Sequence, residues 1–298
     1  MARGILVGFG TMGQTHYLRY AQLGVPILAV IDPDPAARGH AASYGMFAYA
    51  RLDEAPLHEA DFVDICTPTY LHYEQIKAAM DRKLAVFVEK PVVLTKSEAE
   101  ELSETPYSPP IFVGEVEHYN PSLAPFLAYQ GQPRAISISR EVNLEFFLRG
   151  ARPWFLDERL SGGLILDCMI HDLNLLVGKY GKPRIEQAQG WAVRYGTVDE
   201  ATATLVYPDF AATVSCSWTA ARTSAPVVTT IVCQDSSGAD LHLTCDDYAL
   251  LDKPRHKDSF LLEIAAFLET LRTGVPPYPL QLYLDGVRLA LDIRAFIG

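Results

Sequence analysis

The chain begins with an apolar strand that runs straight into glycines: G-I-L-V-G-F-G-T-M-G, residues 4–13. Gly8, Gly10 and Gly13 form G-x-G-x-x-G between a strand at Gly4 to Val7 and a helical segment from Thr11 to Leu23. The first glycine permits a tight turn. The second lets the backbone approach a pyrophosphate, and the third lets helix and strand pack closely. The helix start, at Thr11 and Met12, offers N–H groups and the positive end of a dipole to phosphate. Asp32 ends a second apolar run, Val25 to Ile31, where an acid accepts hydrogen bonds from an adenosine ribose. An acid there repels a 2′-phosphate, so NAD is expected over NADP. Arg38 is near enough in sequence to keep NADP open. A glycine-rich turn followed by a capping aspartate is the plainer reading of the same residues.

Strand and helix patterns keep alternating to about residue 118. Ala36 to Tyr44, Tyr70 to Arg82 and Lys96 to Ser103 are helical in composition. Phe47–Tyr49, Asp61–Cys66, Leu84–Val88 and Ile111–Val113 are apolar runs without polar alternation. Such strands, separated by helices, predict a doubly wound parallel sheet covered on both faces. Beyond that point the pattern changes. Ile136–Ser139, Thr202–Tyr207, Ala212–Trp218 and Val228–Val232 alternate apolar with small polar residues, the mark of antiparallel strands with one packed face. Phe260 to Arg272 and Leu280 to Phe296 are helical again, with a GVPPYP loop between. The predicted fold class is therefore α/β: a Rossmann domain over 1–118, then an α/β domain over 119–298 with a large open, mainly antiparallel sheet.

Bulk properties narrow the function classes. A formal net charge of −11 argues against general nucleic-acid binding, which needs a cationic footprint. The five cysteines are scattered without a C-x-x-C pair, so reduced, mostly buried thiols and a cytoplasmic location are expected. The N-terminus has no signal-peptide pattern. No run of about 18 apolar residues predicts a membrane span.

Two later strand ends are chemically unusual, and ligands of open parallel sheets lie beyond strand ends of this kind. In FVDICTPTYLH, Thr67, Pro68 and Thr69 follow a strand, and His72 lies in the first turn of the next helix. Thr69 reads as a helix N-cap and His72 equally as a surface residue. In AVFVEKPVV, Glu89 and Lys90 interrupt an apolar run and Pro91 follows. Proline pushes Lys90 towards an extended conformation. A lysine held there donates to a substrate oxygen, or, if partly desolvated, falls in pKa and transfers protons. A surface lysine after a strand is the alternative.

The stretch GGLILDCMIHDLNLL, residues 162–176, is a helix apolar almost all round, so it is expected to be buried. It nonetheless carries Asp167, His171 and Asp172. A buried, hydrogen-bonded Asp–His pair is one explanation and a catalytic edge is another. No H-E-x-x-H pattern or local third ligand supports a metal site.

GFGTMG, TPTYLH, VEKP and GGLILDCMIHD, in this order, resemble the glucose–fructose oxidoreductase / inositol dehydrogenase / rhizopine-catabolism (Gfo/Idh/MocA) family. The resemblance is strong to about residue 180. It implies a Rossmann domain, a second domain whose open sheet often serves oligomerisation, and hydride transfer between a nicotinamide and a sugar or cyclitol carbinol. Lys90, Asp167 and His171 match the family residues around the reacting carbinol. Gly8, Gly10, Gly13 and Asp32 match the dinucleotide positions. Thr67, Pro68, His72, Glu89 and Pro91 match cofactor-lining ones. VGEVEHYNPSL and DCMIHDLNLL also look like enzymes acting on nucleotide-activated amino sugars, such as UDP-N-acetylglucosamine 3-dehydrogenases. Tyr119 and Asn120 match at the domain junction. Glu115 and His118 stand where those enzymes usually carry histidine and arginine.

The expected chemistry is oxidation of a secondary alcohol. His171 serves as general base, since an imidazole titrates near neutral pH. Asp167, one turn earlier on the same face, is expected to orient the ring or stabilise its charged form. Lys90 polarises the oxygen. Trp154, Arg149 and Arg152 precede the helix and are candidates to face the substrate. Asp172 is expected to pair with a backbone or basic group. A sensor that binds dinucleotide or sugar without turnover, and redox-neutral glycoside cleavage with tightly held NAD, are the competing functions. The expected partners are a sugar-type small molecule and further copies of the chain, as a homodimer or homotetramer, with Trp218 near the open sheet face. No nucleic acid and no membrane are expected.

Overall fold

A computed structural model describes residues 2–148, 153–220, 226–245 and 258–298. The first half alternates as the sequence predicts. Strands β1 (Gly4–Val7), β2 (Ile27–Ile31), β3 (Phe47–Tyr49), β4 (Phe62–Ile65), β5 (Ala85–Glu89) and β6 (Ile111–Gly114) form one sheet, in the order β3-β2-β1-β4-β5-β6. Every pairing is parallel. Helices α1 (Thr11–Gln22), α2 (Pro35–Ser43), α3 (His72–Asp81) and α4 (Lys96–Glu104) connect the strands. Strands β1, β4, β5 and the edge strand β6 are buried at every residue, which explains their mostly apolar composition.

Local chemistry sets the helix starts. The Asp34 carboxylate accepts from Ala36 N–H, with Pro35 at the first helical position of α2. Thr95 and Glu98 form a reciprocal capping box on α4. Thr69 does not cap α3. It opens a 3₁₀ turn, Thr69–Leu71, and α3 begins after Leu71 without a side-chain cap. The 3₁₀ geometry moves the helix start past the threonine.

The second sheet contains β7 (Pro133–Val142), β8 (Arg184–Trp191), β9 (Glu200–Val206), β10 (Ala211–Ser217), β11 (Val227–Asp235) and β12 (Leu241–Cys245), in the order β12-β11-β7-β10-β9-β8. It is mainly antiparallel, but β7 and β10 run parallel. The reason is topological. The chain leaves β7, crosses through a helix, and returns two strands later to lie beside it. Between β7 and β8 come α6 (Leu144–Phe147), α7 (Glu158–Ser161), a π turn (Ile165–Met169) and α8 (Ile170–Tyr180); the short α5 (Ala124–Ala128) precedes β7. The run Glu158–Tyr180 is apolar and long enough by composition to cross a membrane, yet 89% of its most apolar window is buried inside the protein.

Alternation fixes the sheet's inner face. Ile136 and Ile138 of β7, Ala201, Ala203 and Leu205 of β9, and Ala212, Val214 and Cys216 of β10 are all buried. The π turn and α8 cover them. Trp218 is also buried, at 1% exposure, against Phe155 with ring centroids 5.4 Å apart. It belongs to the core and not to an open sheet face, because Ser217 ends the strand and the chain turns inward there.

The last two helices return to both layers. α9 (Ser259–Thr273) packs on the parallel sheet, with Phe267 edge-on to Phe62 and Phe87 at 5.1 and 5.3 Å. α10 (Leu280–Ile297) packs on α8, α4 and β8. Close approach to α8 requires Gly286: a Cβ there would lie 2.0 Å from Asn174 Oδ1.

Candidate active site

The glycine turn has the geometry that its spacing requires. Gly8 has φ +92°, and a Cβ there would lie 2.9 Å from the Cys66 carbonyl. A Cβ on Gly13 would lie 2.1 Å from the Gly8 carbonyl oxygen. Gly10 is different. Nothing lies within 4 Å of where its Cβ would be, and it begins α1 with no side-chain cap. This leaves an open space over a helix N-terminus, as a pyrophosphate needs. Asp32 closes the turn: its carboxylate accepts from Phe9 N–H and Asp34 N–H, both at 2.8 Å. Arg38 donates through Nη1 to the carbonyls of Asp32 and Pro33, each at 2.8 Å. These residues fit a dinucleotide.

Thr67 and Pro68 are half-buried beyond β4, with Thr67 Oγ1 donating to Gln75 Oε1 at 2.6 Å. His72 is buried and its ring nitrogens lie 3.0 Å from the Pro91 carbonyl and 2.9 Å from that of Thr67. It ties two loops together and offers no free nitrogen to a ligand. Burial pulls its pKa down, against the pull of the two carbonyls. Glu89 also turns inward, with Oε1 3.0 Å from His16 Nε2. His16 Nδ1 meets Asp64 at 2.9 Å. Burial alone would lower the His16 pKa, but the charges of Asp64 and Cys66 raise it well above the ordinary value.

Lys90 follows β5, at the carboxyl edge of the parallel sheet. Its backbone N–H donates to Gly114 at the end of β6. Its ammonium reaches the other layer and donates to the Asp167 carbonyl at 2.5 Å and to the Asp167 carboxylate at 3.1 Å. The side chains are 18% and 23% exposed, so the pair is mostly buried with one edge open to solvent. Burial alone would lower the Lys90 pKa, but Asp167 and Glu89 reverse it and the pKa is raised. The lysine therefore stays a cation and is not tuned to transfer protons.

Asp167 does not orient His171. It lies in the π turn, and its carboxylate is taken by Lys90. The His171 ring is held by Glu115, with Nδ1 2.5 Å from Oε1. Asn174, one turn further along α8, donates to the other oxygen of Glu115 at 2.7 Å. Sequence reasoning missed this role. The signal was there: Glu115 interrupts the run Ile111–Val116, as Glu89 ends the apolar run Ala85–Val88. Asp172 faces the opposite side, where Arg140 of β7 forks onto it at 2.7–3.2 Å and onto Glu117 at 2.6 Å. All three are buried.

Two family descriptions match along the chain. Residues 3–107 match "Oxidoreductase family, NAD-binding Rossmann fold" and residues 130–237 match "GFO/IDH/MocA C-terminal domain". The chain belongs to the Gfo/Idh/MocA oxidoreductase family. UDP-N-acetylglucosamine 3-dehydrogenase of Acidithiobacillus ferrooxidans is 29% identical over 66% of this chain and 61% of its own. The solved structure of that enzyme superimposes with a TM-score of 0.78 at 23% identity, over 99% and 97% of the two chains. The scyllo-inositol 2-dehydrogenase (NAD⁺) of Bacillus subtilis is 26% identical over 92% of this chain and 87% of its own. The WlbA dehydrogenase of Thermus thermophilus, solved with NAD and UDP-GlcNAcA, aligns at TM-score 0.76 and 19% identity over 99% and 95% of the chains.

Within this family frame, the remaining candidate residues fall in two groups. Asn120 is committed to structure: Nδ2 donates to Glu117 at 2.9 Å and Oδ1 accepts from Ser122 N–H at 3.0 Å. The Tyr119 hydroxyl is buried without a hydrogen-bond partner among the described residues, and its ring stacks on Phe112. Both support the domain junction, since the turn Val116–Tyr119 carries its polar groups inward. His118 lies flat on Tyr278, with centroids 4.1 Å apart. Trp154 is half-buried, edge-on to Phe155. Arg149 and Arg152 lie outside the described residues.

Proposed function

We propose that this chain is an NAD-dependent dehydrogenase that oxidises a secondary alcohol of a sugar, nucleotide sugar or cyclitol. One observation carries the reading. Lys90, from the cofactor-side sheet, is bonded to Asp167 on the helical run that presents His171. The cation of one layer is thus tied to the helical run that carries the imidazole of the other, and the glycine turn shaped for a dinucleotide lies at the same carboxyl edge of the parallel sheet. The relatives named for UDP-N-acetylglucosamine and scyllo-inositol support a polyol substrate.

The roles follow from the donor and acceptor inventory. NAD, when bound, supplies the hydride acceptor. His171 Nε2 has no protein partner among the described residues, and it takes the hydroxyl proton. An ammonium carries three N–H donors. Lys90 spends two on Asp167, which aims the third at the substrate oxygen and stabilises charge developing there. The raised pKa keeps that donor charged. In reduction the same two groups return the proton and polarise the carbonyl. Asp32 favours NAD over NADP, because an acid at the end of β2 repels a 2′-phosphate, and Nη1 of Arg38 is engaged by two backbone carbonyls.

We read 1–118 as the dinucleotide-binding part and 119–298 as the substrate and assembly part. A homodimer or homotetramer uses the outer sheet face, where Ser139, Thr202 and Ser215 lie side by side. Light scattering at micromolar concentration tests this, and a monomer mass refutes it. The function is tested by following NADH over a panel of free and UDP-linked sugars and inositols. Net NADH formation with a polyol supports the reading. Substrate cleavage without NADH, or binding without turnover, overturns it.

A further inference from the structure

Glu115 stands at the end of β6, next to Gly114, which pairs with Glu89. It is therefore the strand-end neighbour of Lys90. Its side chain is fully buried. Burial alone would push the carboxyl up. The charge and hydrogen bond of His171, with the His118 charge and the Asn174 amide, overcome this and hold it at about 2. The carboxylate is ionised at neutral pH and only accepts hydrogen bonds. The facing ring atom, Nδ1, must then carry the hydrogen.

Asn174 makes this arrangement stiff. Its Nδ2 holds the second oxygen of Glu115, and its Oδ1 lies against Gly286 of α10. Glu115 is thus clamped by two residues of α8, with α10 behind them. The other titratable groups around the pair are Lys90, Glu117, His118, Asp172 and Glu263. Among the described residues none of these bonds to His171 Nδ1. Asp167, the sequence candidate for that role, is engaged by Lys90.

We infer that Glu115 is a positioning residue for proton transfer: it fixes His171 as the Nδ1–H tautomer and stabilises the imidazolium formed when Nε2 takes the substrate proton. The inference rests on the reading of His171 given above. In oxidation the substrate O–H bond breaks and an Nε2–H bond forms. The positive charge gained by the ring then lies beside the Glu115 carboxylate. In reduction the proton returns by the same atoms. The division of labour resembles that of a carboxylate behind a catalytic histidine in a triad, which sets the tautomer and does not itself take the proton.

The test uses the NAD-loaded enzyme and Glu115→Gln, which keeps size and removes charge. With a substrate found in the panel, kcat is expected to fall roughly 10²–10⁴-fold while substrate KM and NAD affinity stay within about twofold. The acid limb of the pH–kcat profile is expected to move to lower pH. A merely structural Glu115 would lower the melting temperature without moving that limb. Histidine ¹⁵N NMR of the unmodified protein, assigned with His171→Ala, tests the inference without a variant at 115 and without a substrate. Protonation at Nδ1 in the neutral ring supports it, and protonation at Nε2 overturns it. If Glu115→Gln turns over normally while His171→Ala is dead, only this inference falls. If His171→Ala is active, the functional reading falls with it.

Discussion

Lys90 and Asp167 are separated by 77 residues, yet the lysine ammonium donates to both the backbone and the side chain of the aspartate. One donor thereby clamps the end of a parallel strand to a π turn in the other layer. The double contact fixes position as well as charge, since the carbonyl cannot follow a side-chain rotation.

Lys90→Met removes the donor and keeps the stem. Turnover is expected to fall roughly 10²–10³-fold. The melting temperature is expected to fall as well, because the pair is mostly buried and the change leaves Asp167 without its cation. NAD titration by fluorescence checks the assignment. Retained NAD affinity with lost turnover is the expected outcome, and lost affinity would make the lysine a cofactor contact only.

Gly10→Ala and Gly13→Ala separate binding from folding. A methyl at Gly13 would meet the Gly8 carbonyl at 2.1 Å, so the turn must deform, at about 1–3 kcal/mol. A methyl at Gly10 meets nothing within 4 Å. It is expected to leave urea denaturation unchanged and weaken NAD roughly tenfold or more, because it occupies the phosphate approach.

Arg140→Met strands two buried carboxylates, Asp172 and Glu117. Breaking a buried ion pair from one side costs about 3–5 kcal/mol. Urea denaturation should show this loss at neutral pH. A cost below about 1 kcal/mol would mean that the network is hydrated in solution.

Glu263→Gln is expected to stabilise the protein at alkaline pH. Both carboxyl oxygens of Glu263 are buried without a hydrogen-bond partner among the described residues. Burial, then the charge of Glu89, raises its pKa well above the ordinary value. The folded chain keeps a proton that the unfolded chain releases above about pH 4.3. Stability attributable to this group therefore falls as pH rises beyond that value. The glutamine variant has no such proton. Its melting temperature should exceed the parent's by a few degrees near pH 8, on the order of 1 kcal/mol, with a smaller gap near pH 5. An equal gap at both pH values would refute the protonated state.

The parallel sheet was legible in the sequence because its inner strands are buried on both faces and its helices carry caps such as Asp34 and Thr95. Two edge strands were not. In β8 the exposed residues Glu186, Gln187 and Gln189 dilute the apolar signal, and β12 alternates over only five residues. An edge strand pays little for polar side chains, so its pattern resembles a loop. The π turn was equally hidden, since Leu164 to Ile170 suits either helical period. Lys90, Asp167 and His171 were found by motif as one group, but the partner of His171 was not. The Glu115–His171 bond spans 56 residues, and no local spacing encodes it. His72 and Asn120 show the reverse case: polar residues beside the site that are bonded to the chain itself through both their polar atoms.

The order of strands in the second sheet has a consequence for how the chain is made. β7 is its earliest strand, yet both its neighbours, β10 and β11, lie later in the chain. Ser139 must wait for Ser215 on one side and Thr230 on the other. During synthesis β7 therefore emerges with two unpaired edges, the arrangement that invites pairing with foreign strands. Arg140 waits too, since its partner Asp172 follows 32 residues later. Glu117, made 23 residues before Arg140, is already there to pair with it, but the forked contact to Asp172 is missing until α8 arrives. The half-made ion network is completed by the helix that also completes the site.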